Sequence, residues 1–347
     1  MLPDYATALA QVLAAAQPVA CVTVPLAEAA GRVLRAEVRA DRPQPPFDRS
    51  AMDGFAVRSS SVQPGVWFPV AGDIPAGAAT PWLQTLMPEG QVLRIATGAP
   101  LPPGADAVIP VEQATMEGDK VCFAVTTVRA AQHVHLSGSD ARAGAVVLAA
   151  GTWLRAQHLG IAAAVGAVQL EVQRPVRVAW LTTGDEVVDP ATATSALQPQ
   201  QIRNANGPMV RELLRRWGAQ VVQEVHLPDD PQTTQRVAAE ALQQADLVIT
   251  NGGVSAGARD YLPGTWERLG LQTLVRGVAI QPGKPVLACA EATPQGPRLR
   301  VLGLPGNPVS VWCTAHLFVQ PVLRALAGAG ADLPWRPAPL RTPVAAS

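Results

Sequence analysis

The residues best equipped for chemistry sit in short loops that each follow an apolar run. Leu247-Val248-Ile249-Thr250 is such a run, and it leads into Asn251-Gly252-Gly253-Val254-Ser255-Ala256-Gly257-Ala258-Arg259-Asp260. Adjacent glycines carry no Cβ, so backbone N–H groups there can close on a ligand, and phosphate is the anion such turns most often hold. Gly252-Gly253 alone reads as a tight turn; Ser255, Gly257 and Asp260 in the same loop tilt the reading towards a site. Three more loops share the pattern. Thr182-Thr183-Gly184-Asp185-Glu186 follows the run from Val176 to Leu181, and Pro228-Asp229-Asp230-Pro231 follows Gln220 to Val225. Gly303-Leu304-Pro305-Gly306-Asn307-Pro308 follows Leu299 to Leu302. Carboxylates beside a phosphate are what Mg²⁺ takes as ligands, while Asp229 or Asp230 ahead of a helix serves equally well as an N-cap. In the last loop Gly306 allows a sharp corner, Asn307 can cap the next helix and Pro308 suits its first turn, so that helix end forms an anion site. Pro282-Gly283-Lys284-Pro285 adds a cation on a rigid turn and reads as a second phosphate contact.

These loops need a frame. The four runs alternate with helical patterns at Pro208 to Trp217, Pro231 to Gln244 and Pro308 to Leu326. Strand–helix alternation predicts a parallel sheet covered on both faces, with ligands bound beyond the carboxyl ends of the strands. All four loops then share one rim. Upstream, Asp4 caps a helix with Tyr5, Leu9, Val12 and Leu13 on one face, and a second short helix from Leu26 to Ala30 stops at Gly31. Arg32 to Val38 reads as extended. From Asp41 to Pro110 prolines and glycines interrupt every apolar run, which predicts a small β domain. Its clearest strands are Val92 to Ala96, Ala107 to Val111 and Val121 to Val125. Asp53-Gly54 marks a turn at its entrance, an Asx-turn on spacing alone, and the run ending at Ala96 delivers Thr97 into a second glycine turn. A helix from Leu154 to Val165, ended by Gly166, leads back to the α/β part.

At 347 residues the chain holds two or three domains. Its 33 prolines and 29 glycines fit a turn-rich protein, and 48% hydrophobic content argues against long disorder. Acids and bases balance at 27 each, so no global field draws it to nucleic acid or a membrane. The four cysteines and five histidines show no zinc spacing, which suggests a reducing compartment. No basic start leads into an apolar run, and no apolar stretch approaches membrane-spanning length; the expected location is the cytoplasm.

Taken together, the motifs resemble the molybdopterin molybdenumtransferases, the MoeA family that includes the E domain of gephyrin. The resemblance covers about Asp4 to Gly328 and rests on six motifs in order. They are Pro45-Pro46-Phe47-Asp48…Ser50-Ala51-Met52-Asp53-Gly54, Thr97-Gly98-Ala99-Pro100, Thr183-Gly184-Asp185-Glu186, Gly252-Gly253-Val254-Ser255…Asp260, Pro282-Gly283-Lys284-Pro285 and Leu304-Pro305-Gly306-Asn307-Pro308. It implies an N-terminal linker and dimerisation domain (1–45 with 141–172), a small β domain (46–140), an α/β molybdopterin-binding domain (173–327) and a stub of a truncated or absent C-terminal β domain (328–347). It further implies that adenylylated molybdopterin binds, its pyrophosphate is hydrolysed with Mg²⁺, AMP leaves and molybdate enters the dithiolene. The implied assembly is a homodimer whose cleft joins the α/β domain of one subunit to the β domain of the other. The molybdopterin adenylyltransferase and molybdoenzyme maturation proteins are the implied partners.

By motif position the resemblance carries Asp53, Thr97, Asp140, Glu186, Asp229 and Asp260 over as active-site residues. Glu186 and Asp260, with Asp185, fall to Mg²⁺ or the hydrolytic water. Thr183, Gly184, Gly252, Gly253, Ser255, Lys284, Pro305, Gly306 and Asn307 fall to the molybdopterin phosphates, and Arg276 to molybdate. The chain departs from the family pattern at His135 and Ser139 before Asp140, at Gln281, and at Asn204-Ala205-Asn206, where the family shows Asp-Ser/Thr-Asn. Two other functions are compatible with the sequence: a non-catalytic molybdopterin-binding scaffold and a molybdopterin adenylyltransferase, although the adenylyltransferase fold has no use for the long N-terminal half.

Overall fold

A computed structural model describes residues 1–253 and 261–331. The chain forms two compact units: Met1–Ala36 with Ala150–Leu159 and the chain from Val168 onward, and Glu37–Ala149 with Gly160–Ala167.

The first unit is built on a six-stranded sheet. Its strands are β1 (Arg177–Thr183), β2 (Gln220–Leu227), β3 (Leu247–Asn251), β4 (Gln272–Arg276), β5 (Leu287–Thr293) and β6 (Gly296–Leu304), in the order β2-β1-β3-β6-β5-β4. The first four in that order are parallel, as the alternation predicts. The pair β5 and β4 extends the sheet antiparallel, which the sequence reading did not include. Helices α1 (Asn206–Arg216), α2 (Pro231–Gln244), α3 (Leu262–Arg268) and α4 (Pro308–Leu326) cover it. Strand side chains alternate between faces. Val178 and Trp180 of β1 share a core with Val210, Leu213 and Leu214 of α1 and Phe318 of α4. Ala179 and Leu181 pack instead with Val237, Ala238 and Ala241 of α2 and Trp266 of α3.

Local chemistry sets the ends of these helices. The Asp230 carboxylate accepts from the Thr233 amide at 2.7 Å and Pro231 fills the first turn, so α2 starts at its cap. At the N-terminus Asp4 caps Tyr5–Ala14 through the Thr7 amide at 2.8 Å, and Ala8 and Val12 of that helix enter the α1/α4 core. The 19 residues of α4, with mean hydropathy 1.2, are long and apolar enough to cross a membrane, contrary to the expectation that no stretch reaches that length. Val311, Ala315, Phe318 and Val322 fall on one stripe of α4 and are buried in the core, so the apolarity serves packing against the sheet. The short helix expected from Leu26 to Ala30 is a single 3₁₀ turn, Leu26–Glu28, next to a strand Cys21–Pro25 that pairs with Gln169–Gln173.

The second unit carries the predicted β domain. Its six-stranded sheet runs Ala107–Pro110, Gly54–Val57, Val92–Ile95, Trp67–Ile74, Lys120–Phe123, Ala114–Glu117. Phe55, Phe68, Ile109 and Phe123 form its core on one face; Ile74, Leu93 and Val108 pack on the other.

Candidate functional site

The carboxyl ends of β1, β2, β3 and β6 share one rim, and a cavity of about 430 Å³ opens there. Thr183 lines it from the end of β1, Gly184 and Glu186 from the loop that follows, and Asp229 from the loop after β2. Gly252 and Gly253 come from the turn after β3, Gly306 and Asn307 from the turn after β6. Gly184, Gly252 and Gly253 all stand at positive φ, and at the first two a Cβ would also collide with a polar side-chain atom. Gly252 has φ +83°, and a Cβ there would lie 2.8 Å from Thr183 Oγ1. Gly184 has φ +115°, and its Cβ would meet the Glu186 carboxylate at 2.7 Å. The missing side chain at Gly184 thus leaves room for the Glu186 carboxylate to fold back over its own loop.

The two candidate caps have separate positions. Asp230 is the cap of α2, and Thr233 holds its carboxyl below the ordinary carboxylate range through hydroxyl and amide. Asp229 is left to the cavity wall, and its amide donates to Asp185 Oδ1 at 3.1 Å, tying the loops after β1 and β2 together. Asp185 itself is exposed and not among the lining residues. At α4 the outcome differs from the sequence expectation of a helix end with open N–H groups. Asn307 Oδ1 accepts from the Val309 amide at 3.0 Å and the Ser310 amide at 3.4 Å, and Pro308 has no N–H. The cap takes up these donors, and the helix end offers mainly its dipole.

Pro305 does not line the cavity; its carbonyl accepts from Asn251 Nδ2. Arg276 and Lys284 are exposed and also lie off the lining. Arg276 ends β4, and its register with Leu287 and, through it, Gly303 sets both cations at the same rim, in the connection from β4 to β5. Ser255 and Asp260 lie outside the described residues.

Nine wall residues were not assigned to the site from sequence, among them Thr182, Arg203, Asn206 and Asn251. Asn206 and Asn251, only 8% and 6% exposed, are bonded to each other, Nδ2 of Asn206 to Oδ1 of Asn251 at 2.9 Å. Thr182 Oγ1 lies 2.9 Å from His226 Nδ1 on the neighbouring strand. The signals were present: a polar Asn closing an otherwise apolar strand, and the Asn204-Ala205-Asn206 departure.

In the second unit, Asp53 lines a cavity of about 460 Å³ together with Asp73 and Arg94. Asp53 Oδ1 accepts from the Thr97 amide at 2.8 Å, joining two segments 44 residues apart rather than closing an Asx-turn on its own strand. That amide, with help from Arg94, keeps the Asp53 carboxyl below the ordinary carboxylate value. A Cβ at Gly54 would lie 2.0 Å from the Ile109 carbonyl oxygen, so this glycine serves close strand approach rather than a turn. Asp140 is exposed, its amide donates to the Gln44 carbonyl at 2.9 Å, and it does not line the cavity. Among the described residues no three of His, Cys, Asp and Glu converge as a ready-made metal nest.

A rim of glycine turns and carboxylates at the carboxyl ends of a largely parallel α/β sheet is where folds of this class bind small ligands. Comparison with known proteins narrows the class. Residues 4–166 match the family described as MoeA N-terminal region (domain I and II), and residues 179–325 the probable molybdopterin binding domain. A molybdopterin molybdenumtransferase of Synechococcus elongatus is 39% identical over 333 residues, covering 94% of this chain and 81% of the relative. Molybdopterin molybdenumtransferase 2 of Mycobacterium tuberculosis is 37% identical over 345 residues, covering 96% and 81%. The crystal structure of the molybdopterin biosynthesis moeA protein from Pyrococcus horikoshii superposes with a TM-score of 0.79 at 28% identity, covering 95% of this chain and 80% of that one. The chain belongs to the molybdopterin molybdenumtransferase (MoeA) family.

Proposed function

We infer that this chain is a molybdopterin molybdenumtransferase, inserting molybdenum into molybdopterin during molybdenum cofactor biosynthesis. The observation that carries the reading is the convergence of Glu186, Asp229, the Gly252-Gly253 turn and the Gly306-Asn307 turn on one cavity, inside the region matched as a molybdopterin-binding domain. Adenylylated molybdopterin is the substrate form we assign, with molybdate as the second substrate. The glycine turns approach its diphosphate, the dipole of α4 favours the same charge, and Lys284 and Arg276 supply cations at the rim for phosphate and molybdate.

Magnesium commonly binds through one or two carboxylates together with substrate phosphates and water rather than through an all-protein cage. The exposed Glu186 on the cavity wall fits that habit, with Asp185 on the same loop and Asp260 as further donors. When bound, the ion would neutralise charge on the diphosphate. Asp229 orients the loop after β2 against Asp185 and presents a carboxylate to the cavity. Asp53, Thr97 and Asp140 are assigned to the active site on their motifs, Thr97 fixing the Asp53 carboxylate through its amide. The assembly we assign is a homodimer, and the compartment the cytoplasm.

Purified protein incubated with adenylylated molybdopterin, Mg²⁺ and molybdate tests the reading. AMP release that depends on molybdate is the expected result. Tight binding without turnover would favour a scaffold, and ATP consumption with pyrophosphate release when molybdopterin and ATP are supplied instead would favour an adenylyltransferase.

A further inference from the structure

We propose that Asn206 is a positioning residue for this reaction, its side-chain amide clamping the glycine turn after β3 to the turn after β6. Asn206 Nδ2 has two hydrogens, and both are engaged: Asn251 Oδ1 accepts at 2.9 Å and the Gly306 carbonyl at 2.8 Å. Asn251 Nδ2 donates in turn to the Pro305 carbonyl. A backbone carbonyl at the far end of each amide fixes its orientation, since flipping either would set oxygen against oxygen.

Asn251 immediately precedes Gly252, Gly306 belongs to the turn after the neighbouring strand β6, where the Gly252 amide also donates to the Leu304 carbonyl at 3.1 Å, and Asn206 opens α1. One amide pair therefore holds three separate elements at the cavity. Glycine turns are conformationally soft and keep a fixed geometry only when something outside them supplies it. Supports of this kind hold reacting groups within the small tolerance that catalysis allows.

A second observation sets Asn206 apart from ordinary core packing. Its Oδ1 is out of solvent contact and has no hydrogen-bond partner among the described residues. An unmet buried acceptor costs free energy that an apolar side chain of similar size would avoid. The position keeps an amide at that cost, and what the amide supplies is the tie between the two turns.

The proposal rests on the cavity being the substrate site. The test uses Asn206→Asp, which preserves size but sets an oxygen against Asn251 Oδ1 and the Gly306 carbonyl. Expected are a fall in kcat of tenfold or more with KM within threefold of wild type. Amide hydrogen exchange should rise together in segments 247–253 and 301–307. The ratio of variant to wild-type activity should recover as pH falls, because a protonated carboxyl regains one donor. Wild-type kcat, a change confined to KM, or unaltered exchange in both segments would overturn the clamp. If Asn206→Asp does not fold, Asn206→Leu removes both donors without adding a charge, and wild-type kcat and exchange in that variant would overturn it as well. Lack of AMP release by the wild-type protein counts against the functional reading alone, since the exchange measurement tests the clamp without it.

Discussion

Gly252 has two reasons to be glycine, and they can be separated. A substitution by Ala strains a backbone held at φ +83° and drives the new Cβ to 2.8 Å from Thr183 Oγ1. Backbone strain of this kind costs about 1–3 kcal/mol. We predict that Gly252→Ala lowers stability by that amount in urea titration and cuts molybdate-dependent AMP release at least tenfold. Adding Thr183→Ala removes the contact but not the strain, so the double variant should regain part of the stability and no more. Glu186 gives the opposite profile. Its side chain is exposed, so Glu186→Gln should shift stability by no more than about 0.5 kcal/mol. AMP release in the same variant should fall about a hundredfold, the range expected when a positioned acid–base or charge-stabilising group is lost. Wild-type turnover by Glu186→Gln would remove that carboxylate from the chemistry.

At the scale of elements, legibility followed the locality of the signal. Helix α2 could be bounded from sequence because Asp230, Pro231 and the buried spacing Thr234, Val237, Ala238, Ala241 are all written within one segment. The glycine turns were readable for the same reason, since a positive φ asks for glycine in place. Strands β4 and β5 were not, because the short Gln272–Arg276 and the alanine-rich Leu287–Thr293 are specified by pairing, β5 with β6 and β4 with β5. Asn206 and Asn251 carried faint local marks, the departure at Asn204-Ala205-Asn206 and an Asn at a strand end, but their bond to each other spans 45 residues and is not written in either segment. The opposite, amino end of the sheet supplies a prediction about stability alone. There Asp246, 4% exposed, precedes β3 and takes a bidentate Arg174 at 2.6 and 2.8 Å together with the Arg177 amide at 2.9 Å. Burial pushes its carboxyl up, but Arg174 and the Arg177 amide outweigh burial and bring it down to about 2. A carboxyl depressed on folding stabilises the native state above its unfolded value near 3.8, and that contribution disappears as pH falls through about 2. The contribution is about 2 kcal/mol. Wild-type stability should therefore fall by that much between pH 4 and pH 2, whereas Asp246→Asn should start less stable at pH 7 and lack this component. A wild-type acid limb matched by the variant would show that Asp246 does not carry it.

For the whole molecule, the question is whether two sets of residues in different compact units serve one reaction. Asp53 and Thr97 belong to one unit and Glu186 with Asp229 to the other, and the function proposed above draws on all four. A twofold-symmetric homodimer offers a direct test, because such an assembly repeats each surface once per subunit. Suppose each active site draws Asp53 from one subunit and Glu186 from its partner. A chain carrying Asp53→Ala still has its Glu186, and a chain carrying Glu186→Gln still has its Asp53. In a mixed dimer of the two, one site then combines both wild-type residues and the other combines both substitutions. Random assortment makes half of all dimers mixed, each with one working site of two, so activity should return to about a quarter of the wild-type rate. Each variant alone should stay inactive, and dilution below the dimer dissociation constant before mixing should speed the recovery, since subunits must exchange. Asp53→Asn is a useful companion to the alanine variant, because an amide oxygen can still accept from the Thr97 amide and keep the turn while losing the charge. Activity in Asp53→Asn would mean that the hydrogen bond to Thr97 matters and the charge does not. Absence of any recovery in the mixture, with the mixed dimer demonstrated by tagged co-purification, would mean that each chain completes its own site.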